Sequence, residues 1–374
     1  MTELTSRFAK PAPNVPVREG APPLSRPTKE EIAAFPAEAQ QLLDETWAEQ
    51  DSLLEKYNLD WLEGQHVLLA GATGPGLGGA LATAILGLGN VASLTVLGRD
   101  LKKSLNFETG KAMEAQAEKS GLKFQWLNDG MAMEGKPLEK LLEALKENGA
   151  ERVVYFNTVA AALSGLLPGM PPVFVKDVDE TGLFQWQLTP LDEKAIEITK
   201  FVMGEMAVQF GDVLENSGVG VEASVFADWR GSLDKIGRDP SRPEYGRQGA
   251  YSTSLYLPKE YLQAYTREHY GSDKVVLDIF YPIMRTRALP LIPGGMTMAN
   301  VTDTLMEKEG IRPVRVPELA LGALEQVGQA LTDSTYNPFP RLDSHDAHLD
   351  EWFYEVVARL NTDEDSDFYY ERWM

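Results

Sequence analysis

Residues 66–90 read HVLLAGATGPGLGGALATAILGLGN, and this stretch decides the architecture. It opens with an apolar run of strand length, passes through a turn carrying Gly71, Gly74, Gly76 and Gly78, and continues into an alanine- and leucine-rich segment of helical length. An unbroken apolar run bounded by a turn is the pattern of a strand buried on both faces, as in a parallel sheet. The glycines carry a second implication. An anion approaches a helix N-terminus closely only where Cβ atoms are absent, and there it meets free N–H groups and the positive end of the helix dipole. Glycine turns also arise for packing alone, so these residues by themselves leave both readings open.

Working outward, five further apolar runs follow: Ser93–Leu97, Phe124–Leu127, Arg152–Phe156, Val219–Phe226 and Val275–Tyr281. The intervals between them leave room for helices, and apolar residues recur three and four apart in Leu138–Asn148, Glu193–Leu214 and Lys259–His269. Strands alternating with helices predict a parallel sheet with right-handed crossovers, because parallel neighbours cannot be joined by tight turns. The expectation is a Rossmann-like, doubly wound α/β sheet in one large domain over residues 61–374. Residues 1–60 form a separate N-terminal part: a proline-rich arm to about residue 28, then two helices over Thr28–Asn58, opened by a capping Thr28 and interrupted at Pro36. Two long segments, at about 163–190 and 285–310, are expected to be loops over the site.

Composition narrows the function. The net charge of −21 opposes association with nucleic acid or an anionic membrane surface, both of which call for Lys and Arg to neutralise phosphate. The absence of cysteine excludes a disulfide framework, a thiolate nucleophile and Cys-ligated metal. The N-terminus lacks a basic start followed by an apolar stretch, and no run of eighteen or so apolar residues occurs, so the chain is read as soluble and cytoplasmic. His345 and His348, with Asp343, Asp346 and Asp350, match no ligand spacing, and no metal is expected.

With a strand before it and a helix after it, the glycine turn has the context of a dinucleotide diphosphate site, built from Gly71, Thr73, Gly74, Gly76, Leu77 and Gly78. The end of the second strand selects between cofactors, an acid binding a ribose 2′-hydroxyl and a basic residue a 2′-phosphate. Here Gly98, Arg99 and Asp100 follow SLTVL, and Arg99 suits bidentate pairing with phosphate. NADP(H) is therefore favoured over NAD(H), the alternative being a solvated surface arginine. Asn128 and Asp129 end the third strand, where the adenine lies, and Asn157 ends the fourth, beside the nicotinamide ribose; turn chemistry is the other reading of all three.

Tyr251 and Tyr256 precede Lys259 in GAYSTSLYLPKEYLQAYTREHYG, residues 249–271. The stretch MRTRALPLIPGGMTMANVTDTLMEKEG (284–310), together with AIEITKFVMGE (195–205) and PKEYLQAYTREH (258–269), resembles the short-chain dehydrogenase/reductase superfamily, in its branch of single-chain trans-2-enoyl-CoA and enoyl-acyl-carrier-protein reductases. The resemblance spans roughly Trp61 to Leu360. It implies an oxidoreductase that passes a hydride from a nicotinamide to the β-carbon of an enoyl thioester. In that scheme Tyr251 stabilises the enolate oxygen, Lys259 holds the cofactor ribose and tunes the phenol, and Thr286 contacts the carboxamide. Leu289, Ile292 and Met296 would wall the acyl chain, and Phe226 stands where the branch carries a second tyrosine of the substrate site. Tyr256 and Tyr245 are the other phenols open to the role, and Lys259 can also be read as a solvated lysine at a helix start.

The departures from the branch are specific. Seven residues separate Tyr251 from Lys259 where the branch has eight, the glycine turn is one residue short, Phe226 lacks a hydroxyl, and Gly98–Arg99 replaces an acid. They leave open a carbonyl or alcohol substrate on the same cofactor, and a non-catalytic nucleotide-binding protein. Pro258 suits a first helical position, which predicts a helix starting there and Tyr251 on the loop before it. The expected partner is a small acyl or carbonyl molecule, and the N-terminal arm suggests a homodimer or homotetramer.

Overall fold

The computed structural model describes residues 41, 44–72, 76–98, 107–128, 130–159, 174–178, 184–188, 197, 200–228, 248–282, 284, 306, 310–312 and 315–342. The elements alternate as the sequence pattern requires: β1 (His66–Ala70), α1 (Leu77–Leu88), β2 (Ser93–Leu97), α2 (Phe107–Ser120), β3 (Lys123–Leu127), α3 (Gly135–Asn148) and β4 (Arg152–Asn157). An antiparallel pair follows, β5 (Phe174–Val178) with β6 (Phe184–Leu188), and then α4 (Met206–Asn216), β7 (Gly220–Asp228), α5 (Gln248–His269), β8 (Val275–Phe280) and α6 (Val316–Thr332). Six strands form one sheet in the order β3-β2-β1-β4-β7-β8, and every neighbouring pair is parallel. Strand order reverses beside β1, so this is the doubly wound Rossmann-like α/β fold.

The sheet is buried on both sides, which is why its central strands read as continuous apolar runs. Successive side chains alternate between faces. Val67, Leu69, Val96, Val154 and Phe156 pack on one face beneath α1, α2 and α6, against Leu81, Ile85, Met113, Leu324 and Val327. Leu68, Tyr155, Val221, Phe226 and Val276 pack on the other, against Leu141, Leu145, Phe210, Leu214 and Leu262 of α3, α4 and α5. Residues 44–53, helical, lie on the first of these layers: Gln50 is buried and donates to the carbonyl of Ala80 at 2.7 Å while its Oε1 accepts from Thr83 at 2.6 Å. Trp61 donates to the carbonyl of Leu324 at 2.9 Å, and its ring lies against the bare Cα of Gly328.

Two local features depart from the sequence expectation. Within the segment at about 163–190, the described residues form the β5–β6 hairpin rather than irregular loop. Helix α5 begins at Gln248 rather than at Pro258, and carries the proline in its interior. A proline inside a helix forfeits one backbone hydrogen bond and crowds the preceding turn. The neighbouring chain is shaped to meet it: one π-helical turn, Phe201–Glu205, leads into α4, and its buried Gly204 lies so close that an added Cβ would stand 2.9 Å from the Pro258 carbonyl oxygen. Among the described residues no helix is long and apolar enough to cross a membrane.

Candidate functional site

In a doubly wound sheet the ligand crevice opens at the carboxyl ends of the strands, where the order reverses. Here that place is the gap between β1 and β4, which are paired through Ala70 and Asn157 at their ends. Gly71 leaves β1 with φ of +94°, and a Cβ there would stand 2.7 Å from both the carbonyl carbon of Thr158 and the amide nitrogen of Val159. Gly78, in the first turn of α1, sits against Thr158 Oγ1, and its added Cβ would lie 2.9 Å from Ala72 Cα and 3.0 Å from the Gly71 carbonyl oxygen. Thr158 is fixed in turn, its backbone N–H and its hydroxyl both donating to the Ala70 carbonyl at 2.9 Å. These two glycines draw the turn, the helix and the β4 exit into contact. That matches the tight-turn and helix-packing roles of the first and last glycines in a dinucleotide fingerprint.

Between them, Gly76 caps α1 in extended conformation with no side-chain cap, and no acidic residue stands in the first turn. The first N–H groups of α1 are thus open to an anion, with the dipole favouring it. The residues present fit a diphosphate here. Thr73 and Gly74 lie outside the described residues, as do Arg99 and Asp129; Leu77 is buried, and Asn128 is exposed at the end of β3.

Asn157 is 5% exposed and engaged by the protein itself. Its Nδ2 donates to the Tyr155 hydroxyl at 2.8 Å and to Met131 Sδ at 3.2 Å, and its Oδ1 accepts from the Val159 N–H at 2.9 Å. It shapes the turn out of β4, the turn chemistry open to it in the sequence. Burial pushes the Tyr155 phenol well above its ordinary range, with the Asn157 hydrogen bond opposing.

Lys259 reaches the same edge of the sheet from α5, donating from Nζ to the carbonyl of Ala227, one residue before β7 ends. Along α5, Tyr256 precedes it by three residues and Tyr251 by eight, about 4.5 Å and about 12 Å of helix rise. Beneath Lys259 lies a polar layer that sequence inspection missed. Asp228 ends β7 at 2% exposure, and Asp278 of β8 is fully buried. The register pairs Phe226 with Asp278 and Asp228 with Phe280, which sets the two carboxyls diagonally on the face toward α5. Asp278 is held well above the usual carboxylate range by burial first and by the Asp228 charge second, with Lys259 and Arg267 pulling the other way. Gln263 Nε2 donates to Asp228 Oδ2 at 2.9 Å, and Arg267 donates to Gln263 Oε1 at 3.4 Å. Lys259, Gln263 and Arg267 recur every four residues, a stripe of α5 laid over the acid pair. The available signal was Asp278, the one polar residue inside the apolar run VVLDIF.

Phe226 is 1% exposed and meets Tyr265 of α5 edge-on, ring centroids 6.2 Å apart, which places it in the core between sheet and helix. Thr286, Leu289, Ile292, Met296 and Tyr245 lie outside the described residues.

No family model matches the sequence, and no curated protein matches it in sequence. Solved structures do match in fold. The trans-2-enoyl-CoA reductase of Clostridium acetobutulicum, in complex with NADH, aligns with a TM-score of 0.59 at 12% identity over 91% of this chain and 88% of that one. The trans-2-enoyl-CoA reductase of Treponema denticola, in complex with NAD, aligns with a TM-score of 0.56 at 17% identity over 87% of this chain and 84% of that one. The architecture built above from β1 outward is therefore the fold of these two reductases across nearly the whole chain.

Proposed function

We propose that the chain is an NAD(P)H-dependent oxidoreductase that reduces an enoyl thioester. The observation that carries this reading is the meeting, at one edge of one sheet, of a bare glycine turn wedged against the β4 exit and a lysine delivered from α5 to the end of β7. The fold shared with two trans-2-enoyl-CoA reductases supports it, as does the resemblance of residues 284–310.

The Gly71–Gly78 turn and the N-terminus of α1 hold the diphosphate, and Arg99 meets a 2′-phosphate, so that NADP(H) is preferred to NAD(H). A bound nicotinamide supplies the hydride, delivered to the β-carbon of the substrate. Negative charge then gathers on the thioester oxygen, where a phenol stabilises it and a proton completes the reduction at the α-carbon. Lys259 orients the ribose and keeps the phenol acidic. Tyr251 and Tyr256 are the two phenols on α5 before it; Tyr256 stands one turn away, Tyr251 two. Thr286 contacts the carboxamide, and Leu289, Ile292 and Met296 bound the acyl pocket. The same reading makes the protein a cytoplasmic homodimer or homotetramer acting on a small acyl substrate.

The test is oxidation of NADPH, followed by absorbance, with crotonyl-CoA and with the matching 3-ketoacyl thioester. Turnover of the enoyl substrate is expected. Turnover of the ketone alone would reassign the enzyme to carbonyl chemistry, and tight NADPH binding without turnover of either would make it a nucleotide-binding protein.

A further inference from the structure

Helix α5 places Pro258 between its two candidate phenols, Tyr251 and Tyr256, and its lysine, Lys259. Proline has no N–H, so the carbonyl of Ser254, four residues back, loses the helical bond it would accept, and the ring crowds the same turn. The part of α5 after the proline is fastened to β7. Lys259 donates to the Ala227 carbonyl and Gln263 to Asp228 at 2.9 Å, Leu262 and Thr266 are buried, and Tyr265 meets Phe226 with ring centroids 6.2 Å apart. Tyr251 and Tyr256 stand on the other side of the missing bond, where a helix is free to take a new direction.

The proline is itself seated. A Cβ added to Gly204, in the π-helical turn Phe201–Glu205, would stand 2.9 Å from the Pro258 carbonyl oxygen, 3.1 Å from its Cα and 3.3 Å from its Cβ. Two of these three atoms are backbone, so the contact locates the axis of α5 at this residue. Proline and π-helical turns are two of the few features that bend helices, and here they touch each other.

We propose that Pro258, seated on Gly204, is a positioning hinge, setting the direction in which the phenol-bearing half of α5 leaves the lysine-bearing half. That a phenol acts at the crevice rests on the function proposed above; the direction of the helix does not. Neither Pro258 nor Gly204 takes part in the chemistry. Both act through the phenol.

The signature is a split between binding and turnover. Pro258→Ala restores the missing N–H and straightens the helix while Lys259 stays fastened to β7. The urea midpoint should not fall, NADPH affinity should stay within about twofold, and kcat should drop about tenfold to a hundredfold, the scale of a displaced reacting group. Gly204→Ala presses on the same residue and should also lower kcat. The control is Gly211→Ala on α4, where an added Cβ meets only Ser224 Oγ at 3.6 Å, and kcat should be kept.

A second readout needs neither cofactor nor turnover. The chain has no cysteine, so nitroxide pairs can be attached at Ser252→Cys with Gln209→Cys on α4, and at Ser252→Cys with Gln329→Cys on α6, one reference on each side of the sheet. Ser252 stands about 9 Å of helix rise before Pro258, so a bend of about 20° displaces it by about 3 Å. Pulsed electron paramagnetic resonance should show a shift of that size in at least one pair when Pro258→Ala is added; should that variant not fold, Gly204→Ala serves in its place. Unchanged distances would overturn the inference, as would kcat retained in Pro258→Ala, a loss of NADPH affinity equal to the loss of kcat, or an equal loss in Gly211→Ala. If the native protein turns over neither enoyl nor ketoacyl thioester, the proposed function falls, and the distances alone still decide the hinge.

Discussion

Gly71→Ala tests the wedge on which the site is built, and Gly64→Ala is its natural control. Both glycines have positive φ, +94° and +74°, so a methyl group strains the backbone in each by about 1–2 kcal/mol. Both also lose the same unfolded-state freedom, which cancels between them. They differ in what the methyl group meets. At Gly64 there is nothing within 4 Å, whereas at Gly71 it would stand 2.7 Å from two backbone atoms of Thr158 and Val159. Those atoms cannot rotate aside, because Thr158 is held twice to the Ala70 carbonyl. Opening the β1–β4 exit should cost about a further 1–3 kcal/mol, the usual penalty of overpacking. Urea unfolding of the two variants, compared at equal m, should thus place Gly71→Ala lower in stability than Gly64→Ala by that margin. The native state of Gly71→Ala should also lose dinucleotide affinity, while Gly64→Ala keeps it. Equal stabilities for the two variants would refute the claim that this turn is wedged against the end of β4.

The pH dependence of stability should carry the mark of Asp278. Its folded-state pKa lies above the ordinary carboxylate value, so its contribution is fully present below that ordinary value and is lost as pH rises through the raised one. As pH rises above the ordinary carboxylate range the native protein should therefore lose stability to urea relative to Asp278→Asn, whose curve should be flatter; parallel curves would contradict the raised Asp278 carboxyl. Tyr155→Phe removes a hydroxyl that accepts from Asn157 at 2.8 Å and donates to Met131 at 3.0 Å, and chemical denaturation should register about 1–3 kcal/mol. Arg99→Ala should weaken NADPH about tenfold, one lost charge-assisted phosphate contact, while sparing NADH, as measured by calorimetric titration; an equal effect on both would return Arg99 to the solvated surface. Of Tyr251→Phe and Tyr256→Phe, one should lower kcat by about a hundredfold or more with NADPH affinity retained, the scale of a missing acid in the reaction.

How much of this was legible in the residues depends on what each signal had to survive. The sheet was legible because its strands are buried on both faces, and a run such as HVLLA has then no second reading of comparable length once a glycine turn follows it. Its six runs predicted the six strands of the sheet to within two residues at each end. The hairpin Phe174–Val178 with Phe184–Leu188 was hidden because its first strand, FVKDV, does not alternate and prolines crowd the segment before it, although FQWQL does alternate. The start of helix α5 is not legible locally, because Pro258 opposes the helix that contains it. What offsets it is non-local: a π-helical turn brings Gly204, 54 residues earlier in sequence, against it. The same holds for the acid pair. Asp228 and Asp278 are 50 residues apart, and only the register of β7 on β8 sets them on one face beneath Lys259. A lysine at a helix start reads as solvated when its own neighbours are considered; the charge that argues otherwise comes from two strands that local pattern assigns to the core. The catalytic chemistry of this fold therefore has to be sought where strand ends converge, and at such places a polar residue inside an apolar run is the signal to follow.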